Sequence, residues 1–277
     1  MRLVTCRTDN GRTAAARVEG AELVELPHRD VGALLAHPDW RSLAGEDGPR
    51  RPYDHGQLAP VIPVPPKIWC VGLNYADHAA EAAKPALEFP TLFAKFAVAL
   101  AGPRDPLCLP AVSSQVDWEV ELAFVIGRAG EQVPAADAMG YVAGFTVMND
   151  VSMRDWQRRT QQYLQGKTFA RSTPLGPELV TVDEAPDPYA GMAISCRVNG
   201  EVVQSASTED MIFGVCELVE YISMIAPLEP GDVIATGTPA GIGALRSPPR
   251  FLRPGDAVEC AVEGIGELGN RCVASRR

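Results

Sequence analysis

The sequence predicts a β-rich α+β protein, and three observations carry that expectation. Apolar alternation of period two recurs along the chain, most clearly at Val116, Trp118, Val120, Leu122, Phe124 and Ile126. Hairpin-type turn pairs, Asn10-Gly11 and Asn199-Gly200, separate such runs. Against these stands one clear helical periodicity, from about Glu209 to Ala226.

In chain order, RLVTCR and TAAARVE flank Asp9-Asn10-Gly11 and AELVEL follows, a small meander over residues 1 to 27. Asp30 is placed to cap a short helix through Leu34, Leu35 and Trp40. Residues 48–66 are rich in proline and polar side chains and read as a connector. The chain therefore divides into a small N-terminal domain, 1–60, and a main domain, 65–275.

The main domain opens with the strand KIWCVGLNY. The alanine-rich ADHAAEAAK then reads as a short helix stopped by Pro85. The proline-flanked segment Lys84 to Pro90 is expected to be a mobile lid. Phe89 to Leu100 is apolar apart from Lys95, and two strands follow, QVDWEVELAFVIGR and YVAGFTVMND. Residues 177–206 again look β-rich. In the long helix Met211, Ile212, Val215, Leu218, Val219, Ile222 and Ile225 repeat at helical spacing, with Thr208 as its cap. The loop Gly237 to Gly243 is glycine-rich but has neither P-loop nor GxGxxG spacing, which argues against nucleotide binding. Pro254-Gly255-Asp256 opens a closing hairpin.

Composition narrows the function classes. A chain of 277 residues can bury a proper core, and its net charge of -10 argues against nucleic acid or an anionic membrane as partner. No apolar run reaches the roughly 18 residues of a membrane span. The N-terminus lacks the apolar stretch of a secretory signal, so a cytoplasmic protein is expected. The seven cysteines are scattered and never in CxxC spacing, which points to reduced thiols rather than zinc or disulfides.

Chemistry concentrates between Gln115 and Asp150. Glu119 and Glu121 are two apart in a strand-like run, so both carboxylates fall on one face. Like charges repel there and pay desolvation, and a divalent cation relieves both costs. Asp150 ends the second run and offers a third oxygen ligand where the strand ends adjoin. The competing reading makes the glutamates the solvent face of an edge strand. His78 and Glu81 share a helix face, an imidazole beside a carboxylate as a general base requires. Arg154 and Gln157, again three apart, and Lys167 supply groups for a substrate carboxylate. Arg158 and Arg159 read as solvated. Thr238 and the exposed amides of its loop offer a further carboxylate contact.

Five motifs in order, VGLNYADHAAE, DWEVELAFVIG, AGFTVMNDVSMRDWQ, GKTFARSTPLGP and ATGTPAGIG, resemble those of the fumarylacetoacetate hydrolase superfamily, in its smaller acylpyruvase-like branch. The likeness spans roughly Pro65 to Val273. It implies a mixed β-sandwich roll, assembled as a homodimer. Glu119, Glu121 and Asp150 would bind Mg²⁺, Mn²⁺ or Ca²⁺. His78 and Glu81 would form an acid/base dyad on a lid, with Arg154, Gln157, Lys167 and Thr238 around a small oxo-acid substrate. Fumarylacetoacetase itself has a fourth acidic ligand seven residues before the histidine; here that position is Val71, as in the smaller relatives. The expected activity is metal-dependent hydrolysis of a carbon–carbon bond in acylpyruvate-like or β-diketone substrates, with Lys167 and Arg154 offsetting developing charge. Decarboxylation of 2-oxo acids or isomerisation of 2-hydroxy-dienoates at the same site is the alternative. A non-catalytic, metal-stabilised binding protein is the third.

Overall fold

The structure, a computed structural model, describes residues 1–82 and 87–275. In chain order the strands and helices are β1 (Arg2–Arg7), β2 (Thr13–Glu19), β3 (Glu22–Glu25), α1 (Val31–Leu35), α2 (Trp40–Ala44) and β4 (Arg50–Pro52). Next come β5 (Ile68–Gly72), α3 (Ala76–Glu81), β6 (Thr91–Lys95), β7 (Leu100–Ala101), β8 (Leu107–Leu109), β9 (Val116–Asp117) and β10 (Val120–Ile126). They are followed by β11 (Val142–Asn149), β12 (Ser152–Met153), α4 (Arg154–Gln157), α5 (Leu164–Lys167) and β13 (Thr173–Thr181). The chain closes with β14 (Ala193–Val198), β15 (Glu201–Ser207), α6 (Val215–Ile225), β16 (Val233–Ala235), β17 (Ala257–Val262) and β18 (Gly266–Ala274).

A large mixed sheet runs β4-β3-β2-β1-β13-β11-β10-β16-β5-β6, and a second sheet runs β15-β14-β17-β18-β8. The expected β-rich sandwich is therefore the architecture found. Strand β10 shows why it is layered. All seven of its residues are buried. Leu122, Phe124 and Ile126 join the core that includes Val258, Cys260 and Leu268 of the second sheet. Ala123 and Val125 join the core under α1, with Leu34 and Leu35. A strand covered on both faces cannot be the edge strand of the competing reading.

The N-terminal strands continue the large sheet rather than standing apart. β1 pairs with β13 in the register Arg2↔Val180 and Leu3↔Leu179. The turns at Asn10-Gly11 and Asn199-Gly200 join β1 to β2 and β14 to β15 as expected, Asn199 and Gly200 both taking positive φ (53° and 81°). Asp30 caps α1 by accepting from the Ala33 N–H.

The long helix is shorter than its periodicity suggested. It begins at Val215, not Glu209, because residues 211–213 are pulled into extended pairing. Met211 bridges Tyr75, the Ile212 N–H donates to the Asn74 carbonyl, and the Phe213 N–H donates to Asn74 Oδ1. Tertiary partners outweigh local periodicity there. Thr208 opens a separate 3₁₀ turn that Ser207 caps. Of the expected lid, residues 84–86 lie outside the described residues. Among the described residues no helix is long and apolar enough to cross a membrane.

Candidate active site

The three predicted ligands converge. One carboxylate oxygen each from Glu119, Glu121 and Asp150 lies within 4.8 Å of the others, and all three residues are buried. The backbone explains how. β10 and β11 are antiparallel with Val120 opposite Asn149, and the Asp150 N–H donates to the Glu119 carbonyl at 2.8 Å. Glu119 lies just before β10, not within it, and the Asn149 side chain fixes it by accepting from its N–H.

Three buried cations reach this cluster from other parts of the chain. Lys167 Nζ lies 2.6 Å from both Glu119 Oε2 and Asp150 Oδ2. Lys95 Nζ lies 2.5 Å from Asp150 Oδ1. Arg154 donates through Nε to Asp117 Oδ2 at 2.8 Å, and its Nη2 sits 2.6 Å from Glu119 Oε1, off the direction of a hydrogen bond. Gly166 lets α5 approach α4 closely enough for this, since a Cβ there would meet Gln157 backbone at 2.5 Å.

Burial works against ionisation of Glu119, but Lys167 and Arg154 outweigh it and hold the carboxyl down at about 2. Lys167 is held protonated against its own burial by Asp150 and Glu119, and Arg154 by Glu119 and Asp117. Glu121 is the exception. Burial, then Asp150 and Glu119, push its carboxyl well above the usual range, and among the described residues the one hydrogen bond it accepts is from the Gly237 N–H at 2.9 Å. That approach needs glycine, because Gly237 has φ +98° and a Cβ would lie 2.9 Å from Val71 O and Asn74 Cβ.

These residues fit a divalent cation. The donors are all carboxylate oxygens, which favour Mg²⁺, Mn²⁺ or Ca²⁺ over softer metals. Each oxygen that contacts an ammonium keeps a second lone pair. Glu121, whose ionisation burial and the two neighbouring acids oppose more than Lys167 and the Gly237 N–H favour it, supplies the electrostatic demand.

Beside the acids lies a cavity of 170 Å³ lined by His78, Glu119, Arg154, Gln157, Lys167 and Thr238 among others. Eight of the nine predicted site residues are thus at one place, counting Glu121 and Asp150 against Glu119, and the ninth, Glu81, holds His78. His78 Nδ1 is 3.3 Å from Glu81 Oε2. Glu81 also accepts from the Gly241 N–H, and Asp77 from the Ala240 N–H, so α3 is pinned to the glycine-rich loop. Gln157 accepts from Arg154 Nη1 at 2.9 Å. The Thr238 hydroxyl donates to the Val120 carbonyl at 2.8 Å, so its hydrogen is already engaged. Leu73, also in the wall, has φ +58°, a strained setting for a branched side chain.

Three contributors escaped the reading of the sequence. Lys95 was visible only as the lone charge in an apolar run. Asp117 is fully buried and accepts from Arg154 as well as the Gly243 and Ala244 N–H groups. Arg158 lines the cavity, while Arg159 stacks on Trp156 at 3.6 Å.

Residues 67–273 match the fumarylacetoacetate (FAA) hydrolase C-terminal family. Among curated proteins, the bovine (Bos taurus) mitochondrial oxaloacetate tautomerase FAHD2A is 52% identical over 218 residues, covering 78% of this chain and 69% of its own. The Dictyostelium discoideum fumarylacetoacetate hydrolase domain-containing protein 2 homolog is 45% identical, covering 74% and 71%. Among solved structures, the fumarylacetoacetate hydrolase of Exiguobacterium antarcticum superposes with a TM-score of 0.88 at 35% identity, covering 99% of this chain and all of its own. The 2-hydroxyhepta-2,4-diene-1,7-dioate isomerase of Mycobacterium marinum gives 0.78 at 35% identity over the full length of both chains. With the sandwich, the buried acidic triad and matches of this extent, the chain belongs to the fumarylacetoacetate hydrolase family.

Proposed function

We propose that this protein is a divalent-metal-dependent tautomerase that interconverts enol and keto forms of a compact 2-oxo dicarboxylic acid of the oxaloacetate type. The observation that carries the reading is His78 at the wall of a small cavity ringed by Lys167, Arg154 and Arg158, beside the acidic triad. The 170 Å³ cavity is below the ~300–1,000 Å³ of pockets for drug-sized ligands, which suits a short acid. The 52% identity to a protein named as an oxaloacetate tautomerase supports the same class.

A cation held by Glu119, Glu121 and Asp150 would supply Lewis acidity toward a 2-oxo carboxylate. The chain's own residues account for the rest. Nδ1 of His78 faces Glu81, which leaves Nε2 to carry one proton between the C2 oxygen and C3, taking it from the enol oxygen and giving it to C3, or the reverse. Negative charge that builds on the C2 oxygen between the two proton transfers is offset by Lys167 and Arg154. Arg158, with no side-chain partner among the described residues, is placed to meet a distal carboxylate. The Thr238 hydrogen is engaged, as are the Gly237, Ala240, Gly241 and Gly243 N–H groups, so the part of this loop is to hold Glu121, Asp117 and α3 in place around the cavity.

Carbon–carbon bond hydrolysis is the second reading, favoured by the same His78–Glu81 pair, which suits activation of water as well as proton transfer at carbon. Mass-resolved product analysis separates the two, using enol-oxaloacetate and acetylpyruvate, each with Mg²⁺ and with EDTA. Metal-dependent loss of the enol absorbance at constant mass is expected from the first. Acetate and pyruvate from the second would replace tautomerisation by hydrolysis, and pyruvate with CO₂ from oxaloacetate would replace it by decarboxylation. His78→Ala should remove turnover and leave Mn²⁺ affinity unchanged; a large loss of Mn²⁺ binding would show that His78 serves the metal instead.

A further inference from the structure

Val120 separates the two glutamate ligands, so whatever holds its backbone sets their relative placement. On one side β11 pairs with it through Asn149. On the other side β16 begins pairing only at Ala123↔Ala235, which leaves the outward backbone groups of Val120 without a strand partner. Side chains take over there. The Thr236 hydroxyl donates to the Leu122 carbonyl, the Gly237 N–H to Glu121 Oε2, and the Thr238 hydroxyl to the Val120 carbonyl.

The remaining group, the Val120 N–H, donates to Oε1 of Gln204 at 3.0 Å. Gln204 lies on β15, in the second sheet, and is 2% exposed. Its Nε2 donates to Thr238 Oγ1 at 2.8 Å and to the Pro239 carbonyl at 2.9 Å. The network fixes the amide orientation, since the reverse would set Nε2 against an N–H and Oε1 against a carbonyl. The bonds form a closed ring: Val120 N–H to Gln204, Gln204 to Thr238, Thr238 to the Val120 carbonyl.

We propose that Gln204 is a positioning residue of the metal centre. By closing this ring it fixes the Glu119–Val120–Glu121 segment against the glycine-rich loop and couples the second sheet to the ligand geometry. Gln204 touches neither ligand carboxylate; it acts through Val120 and Thr238. The inference rests on the metal-centre reading and not on the identity of the substrate.

The test is Mn²⁺ affinity of metal-stripped protein, read from the free-ion signal by electron paramagnetic resonance, alongside thermal unfolding in EDTA. Gln204→Leu keeps the volume and opens the ring. It should weaken Mn²⁺ about 10–100-fold, the range for lost outer-shell partners. Thr238→Val opens the same ring from the other side and should match it, whereas Thr238→Ser retains the hydroxyl and should bind Mn²⁺ as wild type does. The double variant Gln204→Leu/Thr238→Val should lose little beyond either single one, since both break one network. A folded Gln204→Leu or Thr238→Val protein with unchanged Mn²⁺ affinity overturns the proposal, even if its unfolding temperature falls. Thr238→Val decides the matter if Gln204→Leu does not fold. Failure of wild type to bind Mn²⁺ overturns the metal centre and this inference together.

Discussion

Glu119 and Asp150 lie against buried cations, whereas Glu121, two residues along the same segment, accepts a hydrogen bond only from the Gly237 N–H among the described residues. On the first side Lys167 and Arg154 let Glu119 ionise without any metal, and Lys95 and Lys167 both touch Asp150. On the second side Lys167 and the Gly237 N–H fall short of offsetting burial and the two neighbouring acids. This centre is half built by the protein and half left for an incoming charge. A fully neutralised triad would have little demand for a cation, and a fully bare one would strain the fold without it.

The comparison breaks most visibly at Lys167. Lys167→Met should destabilise the metal-stripped protein by about 3–5 kcal/mol, the cost of leaving buried charges unpaired. Denaturant unfolding in EDTA measures this, and a loss below about 1 kcal/mol would mean the pairing is not as drawn. Glu121→Gln should do the opposite. It should keep or raise the unfolding temperature in EDTA while abolishing Mn²⁺ binding, because a repulsion leaves with the ligand.

Titration sharpens the contrast. Glu121 keeps its proton in the folded state above the ordinary 4.5, so the folded chain binds more protons and metal-free stability falls as pH rises through that window. Glu119, held down at about 2, contributes stability above 4.5 that is lost as pH falls toward 2. Mn²⁺ affinity should therefore climb with pH, since the cation displaces the Glu121 proton. Titration calorimetry from about pH 5 to about pH 8 in two buffers of different ionisation heat would show proton release. A pH-independent affinity would remove Glu121 from the ligand set. The smallest effect is expected on the substrate side: Arg158→Gln should raise KM for a dicarboxylic acid several-fold and leave kcat and Mn²⁺ affinity alone.

The acidic side of the centre was legible in the sequence, since Glu119 and Glu121 share a face by strand period and Asp150 ends the neighbouring run. The cationic side was only half legible. Arg154 and Lys167 stood out near Asp150, but Lys95 reaches Asp150 across 55 residues and Asp117 reads like any other acid in its run. Gln204 gave no signal, because its role depends on β15 lying across β10 in space, which periodicity cannot report. The same limit shows in the helix that starts at Val215, where pairing of residues 211–213 with Asn74 and Tyr75 overrides an apolar pattern that suits a helix. The layered fold followed from the resemblance; alternation alone gave the strands but not their order.

The pairing of β1 with β13 sets an order of assembly on the ribosome. Arg2 and Leu3 pair with Val180 and Leu179, so some 180 residues of synthesis separate the two strands. At about 5–20 residues per second that is a wait on the order of 10–40 s. During it the nascent β1–β2–β3 meander holds one strand edge open, and its apolar residues have none of the large sheet to rest on. The β1–β2–β3 meander is thus finished only when β13 arrives, far along the same chain.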